Sequence, residues 1–427
     1  MTILSIETSC DETAVAVVEG KKDKVLLRAN VVASSLAMHA KTGGIIPEVA
    51  ARAQLKFMLP VLTEALEKAF GYSEADITIK SPPIDEIAVT YGPGLIGPLL
   101  IGVETARTLS YVWKKPVIPV NHMMGHIYAN FIGETENLVI ARRNDEGTYR
   151  LVHPEAISLN NGIATAAKRP RNDTRKTLKE SVPEFPLLAL VVSGGHTDLI
   201  YMKQHGDYAV LGGTRDDAAG EAFDKIGRLL GLSYPAGAMI EERAKKGDAK
   251  RFCFPRPLIG EQTYDFSFSG LKTAVLREVM VLRHQAGASL QLAPKCSGAD
   301  YKSAPAQKEE NFSAMPRNDT VLNEKTVNDI AAGTQAAIVD VLVKKTLKAA
   351  VEFDVKSILL SGGVAANQML RETFQSEILR QKINSKLYYP PKFLCTDNAA
   401  MIASAAYFDY KPIDWKELTA NPQLYYE

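Results

Sequence analysis

Two histidines four residues apart are the clearest chemical signal in the chain. His122 and His126 stand in the string Asn121-His-Met-Met-Gly-His126. On a helix, residues at this spacing share one face, and two imidazoles on one face can bind one metal ion. Zinc peptidases carry a glutamate after the first histidine as the base that activates water, whereas this chain has Met123 there. The spacing is typical either of half a metal site or of two helix histidines without metal. Met123 in place of the glutamate argues against a peptidase.

A third metal ligand has to come from a distant part of the chain. Asp397, in Cys395-Thr-Asp-Asn-Ala399, precedes an apolar run at 399–407 that predicts the last helix. Taken alone, this position favours an N-capping role for Asp397. Two histidines and one carboxylate with open coordination positions would suit Fe(II) or Zn, and the sequence alone does not distinguish the two metals.

Glycine-rich turns after apolar strands are a second group of candidate sites. Ser193-Gly-Gly195, Ser361-Gly-Gly363 and Tyr91-Gly-Pro-Gly94 each follow a run typical of a buried strand. Glycine lets the backbone approach a ligand closely, and the N–H groups of such turns can bind phosphate oxygens. A single turn of this kind is weak support because many are simply tight turns. Three of them favour a bound nucleotide.

Two polar residues at predicted helix starts keep two interpretations open. Asp224 lies among the acids of segment 216–225, where a carboxylate can bind ribose hydroxyls or only interact with the helix dipole. Asn367 follows the turn at Ser361-Gly-Gly363, where it can bond an adenine or only cap a helix.

Alternating strands and helices must position these side chains. Segments 3–6 and 14–18 predict a β-hairpin, and 187–192 with 198–202 predicts another about half a chain later. A third apolar strand is predicted at 357–360, and the helical patterns between these strands are at 47–70, 100–112, 218–230 and 328–351. The alternation indicates an α/β fold, and the repeated hairpin indicates two similarly built lobes around a nucleotide cleft.

Two long segments, 138–184 and 283–326, interrupt this pattern. The first is rich in Arg, Asn, Pro and Thr, and the second in Gln, Ala, Ser, Pro and Lys. Both contain Pro-Arg-Asn-Asp-Thr, at 170–174 and 316–320. Because loops of this length are uncommon inside compact domains, we expect two flexible surface insertions that are peripheral to the chemistry.

Composition and charge exclude several classes of protein. The 427 residues are 46% hydrophobic and 23% charged, with a net charge of +1. These values exclude a collagen-like, wholly disordered or membrane-embedded protein, and they give no sign of a nucleic-acid partner. The four cysteines form no C-x-x-C pair, and the N-terminus resembles neither a secretory signal nor a transit peptide. We therefore expect a cytoplasmic protein without a disulfide framework.

Eight motifs, taken together and in order, resemble one known family. They are Ile6-Glu-Thr-Ser-Cys-Asp-Glu-Thr13, Gly43-Gly-Ile-Ile-Pro-Glu48, Gly92-Pro-Gly94, His122-x-x-x-His126, Ser193-Gly-Gly-His-Thr197, Phe266-Ser-Phe-Ser-Gly-Leu-Lys272, Val364-Ala-Ala-Asn367 and Cys395-Thr-Asp-Asn398. The chain is similar through them to the TsaD family, the tRNA threonylcarbamoyladenosine transferases once called glycoproteases. The likeness spans nearly the whole chain except the two insertions.

The resemblance implies the actin-like fold of sugar kinases, Hsp70 and actin (the ASKHA fold), with two similar lobes around a nucleotide cleft. The first lobe would comprise 1–137 joined by the C-terminal 398–427. The second would comprise 185–397, interrupted by 283–326, while 138–184 would be a flexible insertion.

The resemblance also implies a reaction, metal-assisted acyl transfer. A threonylcarbamoyl group would pass from threonylcarbamoyl-adenylate (threonylcarbamoyl-AMP) to the N6 amine of the adenosine just 3′ of the anticodon, in tRNAs that read codons beginning with A. One divalent metal per chain, Fe(II) ahead of Zn, would be held by His122, His126 and Asp397, which reverses the capping preference for Asp397. Asp11 and Glu12 match acids of the family's first hairpin and are the candidate catalytic residues.

The family's adenylate-binding positions and partners are implied in the same way. The matching positions here are Val191, Val192, Ser193, Gly194, Gly195, Asp224, Gly237, Glu241 and Asn367. Partners would be tRNA and TsaB-like and TsaE-like proteins, without a membrane.

This chain also departs from the family pattern. Tyr234-Pro-Ala-Gly-Ala238 stands where the family usually has a Gly-Gly-Pro turn, Glu241 where aspartate is common, and Gln54 where histidine is frequent. A metallo-glycopeptidase, a small-molecule kinase of the same fold and a non-catalytic partner subunit are the alternative functions. The complete set of metal-ligand candidates disfavours the last two.

Overall fold

The computed structural model describes residues 1–40, 44–72, 75–76, 80–133, 140–143, 149–152, 182–285 and 322–426. Most of both predicted insertions lies outside the described residues, and so do both copies of Pro-Arg-Asn-Asp-Thr. The chain divides into two compact units. The first comprises Met1–Glu184, Gln204–Asp207 and Tyr388–Glu427, and the second comprises Phe185–Lys203 and Tyr208–Leu387.

Strands and helices are numbered along the chain. The strands are β1 (Thr2–Glu7), β2 (Glu12–Lys21), β3 (Lys24–Ser34), β4 (Glu86–Gly92), β5 (Val117–Asn121), β6 (Ile132–Gly133), β7 (Ile140–Arg143), β8 (Tyr149–Val152), β9 (Leu187–Val192), β10 (Thr197–Gln204), β11 (Asp207–Gly213), β12 (Ser357–Ser361) and β13 (Lys386–Tyr388). The α-helices are α1 (Leu36–Ala40), α2 (Pro47–Phe70), α3 (Ile96–Trp113), α4 (His122–Tyr128), α5 (Ala219–Leu229), α6 (Gly237–Ala244), α7 (Ser269–Gln285), α8 (Glu324–Glu352), α9 (Gln368–Gln381), α10 (Lys392–Cys395) and α11 (Ala399–Phe408).

The sheet of the first unit has the strand order β5-β4-β1-β2-β3-β7-β8, with β6 also paired to β3. β1, β2 and β3 are antiparallel neighbours, while β4 pairs parallel to β1 and β5 parallel to β4. The apolar side chains of β1 and β2, among them Leu4, Ile6 and Val15, pack in one core with Leu62 of α2 and Val103 of α3. Because β1, β4 and β5 are parallel neighbours, their carboxyl ends lie side by side at one edge of the sheet.

The sheet of the second unit repeats this arrangement, with the order β11-β10-β9-β12-β13. β10 pairs antiparallel and β12 parallel to β9, as β2 and β4 do to β1. The two predicted hairpins are thus the first two strands of two sheets of the same design. The predicted α/β architecture with two similar units is confirmed.

The structure moves several predicted boundaries. β7 and β8 lie inside segment 138–184 and extend the first sheet. Helix α7 continues to Gln285. Helix α8 begins at Glu324 and is capped by Asn323, whose side chain accepts a hydrogen bond from the Thr326 N–H. Both ends of segment 283–326 therefore belong to regular helices or their caps. Residues 388–397, predicted in the second lobe, fall in the first unit.

Two further expectations concern the cysteines and the membrane. Cys10 and Cys395 are free thiols. Across the described ranges, no helix combines the length and apolarity that a membrane crossing requires.

Candidate active site

The two histidines lie on one face of the short helix α4, which follows β5 directly. Asn121 begins this helix, because its side-chain oxygen accepts hydrogen bonds from the N–H groups of Met123 (2.8 Å) and Met124 (3.4 Å). The ring centroids of His122 and His126 are 4.7 Å apart and the rings are nearly perpendicular, at 79°. The predicted helical geometry is therefore present, with both rings directed to one place.

Asp397 completes a cluster of three ligand groups. Its Oδ1 lies 3.5 Å from Nε2 of His122 and 3.3 Å from Nε2 of His126. One ligand atom from each of the three residues lies within 4.8 Å of the others. The capping role first expected for Asp397 is wrong, because the neighbouring Asn398 caps α11 by accepting a hydrogen bond from the Met401 N–H (3.0 Å). Asp397 is thereby left to face the histidines.

The chemistry of this cluster fits a divalent metal ion. His126 is only 1% exposed, yet its Nδ1 has no hydrogen-bond partner among the described residues, and its Nε2 lies near the Asp397 oxygen without the geometry of a hydrogen bond. A buried nitrogen without a partner is costly, and metal coordination is one way to use its lone pair. Two imidazoles and one carboxylate leave coordination positions open, as catalytic sites require. The residues present therefore could hold a metal.

Glu7, at the end of β1, holds the far side of the His122 ring. It is fully buried, and its Oε2 lies 3.0 Å from Nδ1 of His122, so that Nε2 faces Asp397. The Thr90 hydroxyl donates to the same carboxylate oxygen, and the Ser9 N–H donates to Oε1 at 2.5 Å. A carboxylate that accepts from one imidazole nitrogen orients the other towards a metal. No motif in the sequence predicts this role of Glu7.

The buried charges of this cluster stabilise one another. Burial by itself lowers the pKa of His122, but the carboxylates of Glu7 and Asp397 outweigh it and raise that pKa well above its usual value. Burial by itself raises the pKa of Asp397, and His122 and His126 overcome this and hold it far below its usual range. The pKa of Glu7 is lowered because His122 likewise outweighs burial.

The raised pKa of His122 predicts how metal affinity depends on pH. Below that pKa the ring is protonated and metal must displace the proton, whereas Asp397, with its lowered pKa, stays ionised. Affinity should therefore fall about tenfold per pH unit as pH drops below the raised pKa of His122, with one proton released per metal bound. Calorimetric titration of Zn²⁺ into the metal-free chain, in buffers of different ionisation enthalpy, measures both quantities. Affinity that stays constant over that range would contradict the prediction.

Replacing Glu7 with glutamine should weaken metal binding about 10- to 100-fold. The amide keeps the size of the side chain but removes the negative charge that orients His122 and raises its basicity. Competition with a chelator of known affinity measures the change. Glu86→Gln is the matched control, because Glu86 is also a buried glutamate of the first unit and contacts the Tyr410 hydroxyl instead of a histidine. Equal metal affinities for the two variants would show that Glu7 has no part in the site.

The candidate catalytic acids lie next to this cluster, Asp11 at the end of the turn between β1 and β2 and Glu12 as the first residue of β2; segment 8–12 is called the β1–β2 turn below. Asp11 is 7% exposed, and Glu12 accepts a hydrogen bond from the Ser34 hydroxyl (3.2 Å). Burial raises the pKa of Glu12 well above its usual value, and the charges of Asp11 and Asp397 add to the effect. A carboxyl with a raised pKa exchanges protons closer to neutral pH, as a general base should.

In the second unit, the predicted adenylate-binding backbone lies at the ends of two adjacent parallel strands. β9 runs into Ser193, and β12, which pairs with β9 through Ser361 and Val191, runs into Gly362. Gly362 has φ +86°, and a Cβ there would lie 2.4 Å from the Val192 carbonyl oxygen, so only glycine fits. A Cβ placed on Gly194 or Gly195 would meet nothing within 4 Å. These two glycines leave their backbone accessible to a ligand.

Two of the other predicted adenylate-binding residues, Asp224 and Glu241, accept backbone hydrogen bonds near the starts of helices in the same unit. Asp224 accepts a hydrogen bond from the Ala236 N–H (2.7 Å), just before Gly237 begins α6, and burial raises its pKa. Glu241 accepts from the Gln368 N–H (3.1 Å) at the start of α9.

Asn367 caps that same helix, because its Oδ1 accepts from the Leu370 N–H (3.0 Å), and its Nδ2 donates to Gln335 (3.0 Å). Capping is thus observed for Asn367, and Asp224 and Glu241 each accept a backbone hydrogen bond near a helix start. Their contacts to a nucleotide remain a prediction.

Comparison with known proteins decides the family. The model of the family described as "TsaD: tRNA N6-adenosine threonylcarbamoyltransferase" matches residues 26–145 and 172–404. The chain belongs to the TsaD family.

Two curated relatives bear the same description, "tRNA N6-adenosine threonylcarbamoyltransferase". The one from Thermomicrobium roseum is 43% identical over 96% of this chain and 92% of its own length. The one from Moorella thermoacetica is 39% identical over 98% of this chain and 95% of its own length. The predicted TsaD family, its actin-like fold class, and a transferase that acts in tRNA modification are confirmed. The matches support neither the metallo-glycopeptidase nor the small-molecule kinase.

Proposed function

We propose that this TsaD chain transfers the threonylcarbamoyl group of threonylcarbamoyl-adenylate to N6 of the adenosine just 3′ of the anticodon, in tRNAs that read codons beginning with A. The observation that supports this most directly is the convergence of His122, His126 and Asp397, whose ligand atoms lie within 4.8 Å of one another. A three-ligand centre with open positions suits acyl transfer from an activated donor, and it is not needed for phosphoryl transfer by a kinase.

His122, His126 and Asp397 would hold one divalent ion, Fe(II) in preference to Zn. When bound, the ion would polarise the carbamoyl carbonyl and neutralise the charge of the adenylate phosphate. Glu7 keeps Nε2 of His122 directed towards Asp397, where the ion would bind. The donor set of two nitrogens and one oxygen suits both metals, and facial sites with open positions are common for Fe(II).

The second unit would bind the adenylate. The open backbone at Gly194 and Gly195 suits the phosphate, with Val191, Val192 and Ser193 leading into it. Asp224, Gly237, Glu241 and Asn367 would take the ribose and adenine, with carboxylates for ribose hydroxyls and an amide for the base.

Asp11 and Glu12 would manage the proton of the attacking amine. The adenosine N6 forms a bond to the carbamoyl carbon, the bond from that carbon to the phosphate oxygen breaks, and AMP leaves with the electron pair. The amine then loses one proton, which a carboxylate of this turn accepts. An adenine amine is a weak nucleophile, so positioning and activation of the acyl donor contribute more than base strength.

The partners proposed are tRNA as the acceptor and TsaB-like and TsaE-like proteins. The proposed compartment is the cytoplasm, where the tRNA acceptor is available.

Reconstitution tests the whole proposal. The chain is incubated with tRNA, the enzyme that makes the adenylate, threonine, bicarbonate and ATP, with each partner omitted in turn. Mass spectrometry of digested tRNA should show threonylcarbamoyladenosine. Its absence, when a known TsaD is active under the same conditions, would overturn the proposal.

A further inference from the structure

Gln54 is the one polar residue on the buried face of α2 among the described residues. The other buried residues of this helix are Ala50, Ala53, Met58, Val61, Leu62, Ala65 and Leu66. Gln54 itself is fully buried, and its Oε1 has no hydrogen-bond partner within the described ranges. A buried amide that leaves one group unsatisfied is costly. Its amide nitrogen therefore has to serve a purpose that an apolar side chain could not.

That nitrogen shares its two hydrogens among three backbone carbonyls of the segment that carries the candidate catalytic acids. Gln54 Nε2 lies 3.0 Å from the Glu12 oxygen, 3.1 Å from the Cys10 oxygen and 3.3 Å from the Thr8 oxygen. Three acceptors around one atom also fix the orientation of the amide, since an oxygen there would face three oxygens.

The intervening carbonyls of the same turn are held by other donors. The Ser9 oxygen accepts from the Leu95 N–H (2.8 Å), and the Asp11 oxygen accepts from both the N–H (3.0 Å) and the hydroxyl (2.9 Å) of Ser35. Each carbonyl from residue 8 to residue 12 is thus bound from outside the turn, in strict alternation. Gln54 supplies the donor for every second one.

We infer that Gln54 is a positioning residue of the transfer reaction: it holds the turn at residues 8–12 so that the Asp11 and Glu12 side chains stay in place beside the metal cluster. This inference rests on the proposed catalytic role of the turn. Without the amide, these three carbonyls lose their shared donor and the turn shifts or loosens. A shift of about 1 Å in a catalytic group can lower a rate about 100-fold.

Gln54→Met tests this role, because methionine keeps the length of the side chain and removes the donor. We expect kcat of the reconstituted, metal-loaded enzyme to fall about 10- to 100-fold, with metal content and the KM for threonylcarbamoyl-adenylate unchanged. Gln54→His, which restores one N–H donor, should recover most of kcat. Met58→Ala is the matched control, because Met58 is buried on the same helix. It should lower the melting temperature and leave kcat close to wild type.

Hydrogen exchange separates this inference from the proposed function. Backbone amides of residues 8–12 should exchange at least about tenfold faster in Gln54→Met than in wild type or Met58→Ala. Unchanged exchange, or a loss of kcat no greater than that of Met58→Ala, would overturn the inference. If exchange accelerates but Asp11→Asn and Glu12→Gln both keep wild-type kcat, the positioning by Gln54 stands and the catalytic role of the turn fails.

Discussion

Replacing His126 with alanine should remove the bound metal and abolish threonylcarbamoyl transfer, while the chain keeps its fold. The variant deletes one of the two nitrogen ligands, which should lower metal affinity by more than about 100-fold, beyond the usual effect of an outer-shell residue. Among the described residues, the polar neighbour of the His126 ring is the Asp397 carboxylate, at 3.3 Å, and His122 still faces that carboxylate in the variant. The fold should therefore survive, because the main loss is the packing of one ring.

Elemental analysis of the purified variant, circular dichroism and the tRNA modification assay together test this expectation. His205→Ala is the matched control. His205 also belongs to the first unit and is partly buried, but it stacks on Phe408 with 4.5 Å between ring centroids and lies outside the metal cluster. The control should keep its metal and its activity. Full transfer by a metal-free His126→Ala chain would remove the metal from the mechanism.

Contacts between residues close in sequence could be predicted for this site, whereas contacts between distant residues could not. The pairing of His122 with His126 depends only on helix periodicity, so spacing alone predicts it. Asp397 lies 271 positions beyond His126, and its local context suits a cap as well as a ligand. Only the fold shows that Asn398 takes the cap and leaves Asp397 for the histidines.

Glu7 and Gln54 were beyond sequence reasoning for a related reason. The role of Glu7 depends on β4 lying beside β1, with β5 next to β4, which brings Thr90 and His122 to the end of β1. The role of Gln54 depends on α2 crossing the β1–β2 turn at one point. Neither arrangement leaves a periodic pattern in the sequence. The strand order, in contrast, follows from repeated hairpins and crossover helices, so the α/β architecture was predictable.

Replacing Glu12 with glutamine should lower kcat about 10²- to 10⁴-fold, the usual contribution of a general base. Metal content should be unchanged, because Glu12 is not a ligand of the cluster. The KM for the adenylate should also stay constant, since the lost interaction acts on the proton that leaves in the transition state. Single-turnover transfer to tRNA at saturating adenylate measures this step. The pH profile then identifies which of the two acids accepts the proton.

If Glu12 is the base, kcat rises with pH as Glu12 loses its proton, and this rise forms the acidic limb of the pH profile. The limb is centred at a pH above the usual pKa of glutamate, because burial and the charge of Asp11 raise the pKa of Glu12. Glu12→Gln should remove that limb. Asp11→Asn should instead move it to lower pH, because removing a neighbouring negative charge lowers the pKa of Glu12 and extends activity into acid. Burial and Asp11 are the two largest causes of the raised pKa, and neither depends on the metal ligands. A limb that disappears in Asp11→Asn and persists in Glu12→Gln would assign the proton to Asp11.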